Sequence, residues 1–204
     1  MHKPREYKTI MQTREHADMK SIKHIPNGFT LLEMLITVSI VVILVTAVAP
    51  NIQSILITNR VTADLNNLSA AVQRARFTAV DEQATVIMCP TENYSECTDD
   101  WSKAKMVFID ENDDDGKNDD EPIIITSQPI NDKNTLSGIS GNLEFDQFGS
   151  INKAATILIC ATGEASSYAS ALLLSQHGRI AVAIDANGSD GIKEDLSGAA
   201  LDCS

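Results

Sequence analysis

The chain has 204 residues, 43% of them hydrophobic and 22% charged, enough for one globular domain with an appendage and too little for two full domains. Its formal net charge is −12, yet the first 28 residues carry six Lys/Arg against three Asp/Glu, which leaves 10 basic and 25 acidic residues, a balance of −15, beyond Gly28. A surface that acidic repels phosphate backbones and anionic lipid heads, so nucleic acid is not an expected partner.

In chain order, the first strong pattern is a run from Met34 to Asn59 without a charged residue, aliphatic almost throughout as far as Ala49. As a helix rising ~1.5 Å per residue it is long enough to cross a hydrocarbon core of ~30 Å. Lys3, Arg5, Lys8, Arg14, Lys20 and Lys23 precede it and the next basic residue is Arg60. The positive-inside rule therefore puts the N-terminus in the cytoplasm and the remainder outside, in the periplasm. A secretory signal is cut after its apolar region, whereas the small-residue site here, Asn27-Gly28, lies before it. Cleavage there on the cytoplasmic side leaves the helix on the mature protein.

Glu33 stands at the start of this helix, where an unpaired carboxylate costs ~2.5–3.5 kcal/mol or more if drawn to the bilayer centre. It needs a cation. A free amine on Phe29, four residues upstream, and the positive end of the helix dipole would supply one; the plainer reading is a helix-start residue at the lipid interface. Pro50 closes the aliphatic block and predicts either a kink or melted turn inside the helix or a helix terminus at the membrane exit.

These N-terminal residues, Gly28-Phe29-Thr30-Leu31-Leu32-Glu33-Met34-Leu35, resemble the prepilins cut by prepilin peptidase. The resemblance implies cleavage between Gly28 and Phe29, N-methylation of the new Phe29 amine, and a Glu33 that meets the amine of a neighbouring subunit during assembly. It also implies a helix proline at the place of Pro50.

After Pro50, Val61, Leu65, Leu68, Val72, Ala75 and Ala79 recur at alternating steps of four and three, one apolar stripe on a continuing helix. Arg60, Asn66, Asn67, Arg74 and Arg76 fall elsewhere, so this helix is expected to be half solvated and half packed on a sheet. Short β-rich runs follow: Thr85 to Cys89, Lys105 to Asp110, Pro122 to Thr126, Leu143 to Phe148, Thr156 to Cys160, Ala171 to Ser175 and Arg179 to Ile184. Six or seven strands with one long helix give an α+β head with an antiparallel sheet. The expected organisation is a leader over 1–28, a transmembrane polymerisation helix over 29–59 and a globular head over 60–204.

All four cysteines lie beyond the apolar run, which suits disulfides in an oxidising compartment. Three pairings exist. Cys89 with Cys97 and Cys160 with Cys203 are favoured, because the first closes a short loop and the second tethers the C-terminus. In the chain-entropy account they contribute roughly 2.5 and 4 kcal/mol. A zinc site is the rival, disfavoured by the absence of paired C-x-x-C units.

The stretch from Asp110 to Glu121 holds eight carboxylates and one lysine. Asp110, Asn112, Asp114, Asn118 and Glu121 fall at positions 1, 3, 5, 9 and 12 of a calcium loop, but Asp115 stands where that loop has glycine, and no strong exiting helix follows. A solvated hairpin loop is the favoured reading, with Ca²⁺ the alternative; no other cofactor is expected. Asp185 to Gly191 imitates the same loop without a suitably placed closing carboxylate and reads as a tight turn.

Cys89-Pro90, Cys97, Trp101, Val107-Phe108-Ile109-Asp110-Glu111-Asn112, Phe145, Gly149 and Gly178-Arg179 resemble the GspH/FimT/FimU group of minor pilins and minor pseudopilins. That resemblance implies a low-abundance subunit in or near a filament tip, partnered by other pilins and held first in the inner membrane. Some members bind DNA through Gly-Arg-x-Arg, whereas this chain has Gly178-Arg179-Ile180-Ala181 and lacks the second arginine. No enzyme motif is present, and His177, the one histidine outside the leader, reads as a turn or surface residue. A GspH-like pseudopilin of type II secretion is the nearest rival, and a signal-anchored binding domain that never polymerises is the rival from another class.

Overall fold

The computed structural model describes residues 28–188 and 191–203, apart from the side chains of 48–51; the expected leader lies, up to Asn27, outside the described residues. The chain divides into two compact units, 1–45 and 46–204. One helix, α1, runs from Leu31 to Glu82. It continues through Pro50 without a terminus there, so the terminus reading of that proline does not hold.

In the first unit the side chains from Leu31 to Val45 are all exposed. Leu31 is 84% and Ile43 65% accessible, so nothing among the described residues of this unit covers its apolar surface. It is the one helix among the described residues long and apolar enough to cross a membrane.

The second unit holds two four-stranded antiparallel sheets. β1 (Thr85–Thr91), β2 (Ala104–Asp110), β3 (Ile123–Ser127) and β5 (Leu143–Phe145) form one, in the order β3-β2-β1-β5. β4 (Asn134–Ser137), β6 (Ala155–Ala161), β7 (Ser170–Leu174) and β8 (Ile180–Val182) form the other, in the order β4-β6-β7-β8. The expected strand over Leu143–Phe148 stops at Phe145, because Asp146 Oδ1 accepts the N–H groups of Phe148 and Ser150 at 2.9 Å each and turns the chain. β4 is a strand the apolar pattern did not reveal, since Asn134-Thr135-Leu136-Ser137 is polar and is held by its ladder to β6.

Every residue of the apolar stripe is buried. Val61, Leu65, Leu68, Val72, Ala75 and Ala79 share one core with Val86, Met88, Val107 and Phe145 of the first sheet and Ile157, Ile159, Leu172 and Leu174 of the second. Burying each larger side chain contributes about 1.5–3 kcal/mol. Along β1, β2, β6 and β7 successive side chains turn to opposite faces, and both faces are largely buried. Ile87, Cys89, Met106 and Phe108 make a second cluster on the outer face of the first sheet, joined by Cys97. Cys160, Ala171 and Leu173 make a third on the outer face of the second, covered by Leu201 and Cys203. The disulfides Cys89–Cys97 and Cys160–Cys203 are both formed, each tying an outward-facing strand cysteine to the segment beside it.

The helix is half solvated and half packed, as the sequence suggests, with Asn66, Asn67 and Arg74 exposed, while Arg60, Asp64 and Arg76 bridge to the head. Asp64 Oδ2 accepts the Asn134 amide at 2.7 Å and the Asn131 N–H at 3.1 Å. Arg60 donates to Asn134 Oδ1 at 2.9 Å and to the Lys133 carbonyl. Arg76 Nε donates to the Gly149 carbonyl at 2.9 Å.

Lys105, on the α1-facing side of β2, is 1% exposed, and its Nζ has no hydrogen-bond partner among the described residues. Burial pushes its ammonium down to about 8, against the attraction of Asp64 and Asp100. An unfolded lysine keeps its proton to ~10.4, so between these values the unfolded chain binds more protons and stability rises with pH. Below pH 8 the burial cost is fully present. Replacing the side chain by an apolar one of similar length, Lys105→Met, is expected to raise stability at pH 7 by about 1–3 kcal/mol. The gain should shrink as the pH passes from 8 towards 10.5; thermal unfolding at the two ends of that range checks both statements.

Candidate functional site

The N-terminal segment is built around a helix start. Thr30 Oγ1 accepts the Glu33 N–H at 3.1 Å, so Thr30 is the N-cap of α1 and Glu33 its third residue, one half of a capping box. The spacing Thr30-Leu31-Leu32-Glu33 carried this signal. Gly28 and Phe29 are both exposed, leaving the bond between them open to a protease. Further on, Thr37 Oγ1 donates to the Met34 carbonyl at 3.0 Å and Ser39 Oγ to the Leu35 carbonyl at 2.7 Å. Both hydroxyls are thus satisfied inside the helix, as an apolar solvent requires. Glu33 is exposed and has no cation partner among the described residues, and it is the only charged residue from Phe29 to Asn59.

The acidic stretch folds as a loop whose carboxylates serve its own backbone. Asp110, 3% exposed, accepts the N–H groups of Asp114 and Asp115 on its two oxygens. Glu121, 4% exposed, accepts those of Glu111 at 3.1 Å and Asn118 at 2.8 Å. Asn112 Oδ1 accepts the Asp114 N–H, and Asp114 Oδ2 accepts the side-chain amides of Asn112 and Asn118. The Asn118 amide, then the Gly116 N–H, hold the Asp114 carboxyl below its usual value. Asp115 takes φ 63, so aspartate supplies the left-handed turn for which a calcium loop uses glycine. The five candidates come together in one loop; among the described residues no group of three or more His, Cys, Asp or Glu side chains is arranged to hold a metal. Burial, then the charges of Asp115, Asp110, Asp113 and Asp146, raise the neighbouring Glu144 carboxyl.

The second loop closes through a residue that its spacing did not single out. Glu194, 8% exposed, accepts the Ala186 N–H at 2.7 Å and the Asn187 amide at 2.6 Å, while Asp185 accepts the N–H groups of Gly188 and Gly191; Ser189 and Asp190 lie outside the described residues. His177 is exposed at the β7–β8 turn. Beside it, Gly178 has φ 75, and a Cβ there would lie 1.9 Å from the Gly149 carbonyl oxygen and 2.5 Å from Arg76 Nε. That close approach places Arg76 of α1 next to Arg179 in one hollow, a spatial pairing invisible in the local sequence.

The family model described as "Type II transport protein GspH" matches residues 64–188, and the one described as "Prokaryotic N-terminal methylation motif" matches residues 26–49. The chain belongs to the GspH family. It is a minor pilin or pseudopilin, a class of structural subunits and not of enzymes. Among solved structures it is similar to the type IV minor pilin FimU of Pseudomonas aeruginosa in two crystal forms. One has 19% identity over 61% of this chain and 88% of that chain, with a TM-score of 0.49. The other has 18% identity over 59% and 90%, with a TM-score of 0.46. No curated protein matches the sequence.

Within this GspH-family head Asp110 and Glu121 hold the loop backbone. Glu121→Ala leaves two buried N–H groups without acceptors and is expected to cost about 2–3 kcal/mol, with Glu121→Gln intermediate because one oxygen remains. Urea unfolding followed by fluorescence of the single tryptophan, Trp101, measures the difference.

Proposed function

We propose that this chain is a minor type IV pilin that joins a filament tip or initiation complex through its N-terminal helix and supports pilus assembly. The observation that carries the reading is one carboxylate, Glu33, in the first turn of a helix whose side chains from Leu31 to Val45 are exposed and otherwise uncharged, inside the matched methylation motif. The leader over 1–28 is removed by prepilin peptidase and Phe29 becomes the methylated N-terminus. Residues 29–59 span the inner membrane with the N-terminus cytoplasmic, and the head over 60–204 stands in the periplasm before reaching the cell surface in the filament. There the apolar flank of α1 exchanges lipid for the helices of other pilins. Glu33 finds a neighbour's amine, which removes the cost of an unpaired acid and fixes register. Pro50 lets this part of the helix adjust within the bundle. The head, with 10 basic and 24 acidic residues and so a balance of −14, contacts other minor subunits and takes no nucleic acid.

The name of the matched family favours a second reading, a pseudopilin of a type II secretion system; the genes that neighbour this one separate the two.

Intact-mass analysis of the membrane-extracted protein is expected to show loss of residues 1–28 and a gain of one methyl group on Phe29. A full-length mass would instead indicate a plain signal anchor. Glu33→Leu should leave the protein in the membrane but lower its amount in sheared filaments by about tenfold or more, in line with a lost charge pair of ~1.4 kcal/mol or above. Wild-type incorporation of that variant would remove the assembly role.

A further inference from the structure

We propose that the free edge of β8 docks an extended, carboxylate-bearing segment from the head of a neighbouring pilin subunit, which adds to the sheet as a fifth strand beside α1. This rests on the pilin reading above and names the surface and the chemistry of its partner.

β8 is the outer strand of its sheet. Leu173 pairs with Ala181, and the flanking bonds run from the Ser175 N–H to the Arg179 carbonyl and from the Ala183 N–H to the Ala171 carbonyl. The odd-numbered residues therefore spend their backbone groups on β7. By the antiparallel alternation, the N–H and C=O groups of Ile180 and Val182 point outward, and they have no partner among the described residues. An edge in this state is a template for another strand.

The other edge of the sheet is managed differently. At β4, Asn134 is held to α1 by Asp64 and Arg60. At β8 the chain instead leaves a hollow of about 490 Å³ between α1 and the strand, with Leu172, Gln73, Arg76, Arg179 and Ile180 among its walls. It adjoins a second hollow bordered by Phe77, Val80 and Phe148. Phe148 is 79% and Phe77 57% exposed, although each is large and apolar.

Charge selects the occupant. Arg76 and Arg179 line the first hollow with His177, Arg74 lies 5.7 Å from the centre of the Phe77 ring, and no carboxylate borders either hollow. Neither Arg76 nor Arg179 forms an ion pair among the described residues. In a head of 10 basic and 24 acidic residues, this cluster stands out and attracts carboxylates. The outward amide and carbonyl groups call for a polypeptide backbone, which a nucleic acid lacks. The chain's own acidic stretch is folded into its loop by Asp110 and Glu121, so a second copy does not present it as a strand.

The test uses the full-length chain in its own host cells, with Phe148→p-benzoylphenylalanine as a photo-cross-linker at the hollow and, separately, Val41→p-benzoylphenylalanine on the membrane helix. Cross-linked residues are read by mass spectrometry. The expected product from position 148 joins an extended, Asp/Glu-rich segment of another pilin head. Its yield should fall about tenfold in Arg179→Glu, which reverses charge. It should fall similarly in Ile180→Pro, which removes an N–H that β7 does not use and is tolerated on edge strands. Trp101 fluorescence melting identifies any variant that fails to fold, and the other then decides. A product with a second copy, with nucleic acid or with a helix overturns the proposal, as does no product or a yield indifferent to the folded variants. If position 41 still cross-links to other pilins, the pilin reading stands while the docking site falls; if position 41 yields none, the pilin reading itself fails.

Discussion

A single apolar stripe on α1 is the floor of both sheets in this protein. Val61, Leu65, Leu68, Val72, Ala75 and Ala79 lie in one cluster with the inward residues of β1, β2 and β5 and of β6 and β7. Neither sheet has an independent core on that side, because each buries its inner face against the same helix. The polar contacts of α1 then fix where it lies: Asp64 and Arg60 tie it to β4, and Arg76 ties it to the Gly149 turn. Hydrophobic burial supplies most of the free energy and these hydrogen bonds supply position, since an apolar stripe alone can slide by a turn at little cost.

The same helix faces two solvents. Its residues from Leu31 to Val45 are exposed and apolar, and those from Val61 to Ala79 are buried along one stripe. Hydroxyls that would be expensive in lipid are already bonded to the helix's own carbonyls. The one acidic side chain between Leu31 and Val45, Glu33, sits in the first turn, where the helix dipole favours a carboxylate.

The helix and its stripe were legible because an apolar period of three to four, sustained from Val61 to Ala79, lines up on one face of a helix and on neither face of a strand. Most strands were legible as well, as short apolar runs between turns. What could not be read locally was decided by distant partners. β4 is polar because Asn134 reaches α1, and its strand character comes from β6. Lys105 sits in Ala-Lys-Met-Val-Phe, a run whose flanks show that it is a buried strand, but nothing nearby shows that the lysine would be left without a partner. At the candidate sites, Thr30 was recoverable from its Thr-x-x-Glu spacing, and Asp115 could have been allowed its left-handed turn. The nearness of Arg76 and Arg179 depends on the contact between Gly149 and Gly178, about thirty residues apart in the chain.

Both disulfides run from a strand cysteine on the outer face of a sheet to a segment lying over that face, Cys89 to Cys97 and Cys160 to Cys203. Such bonds do not persist where glutathione and thioredoxin keep thiols reduced. With the head exported as proposed, the lids they hold latch only on the far side of the membrane, so the finished head is a record of its own export and a subunit still facing the cytoplasm is chemically marked as immature.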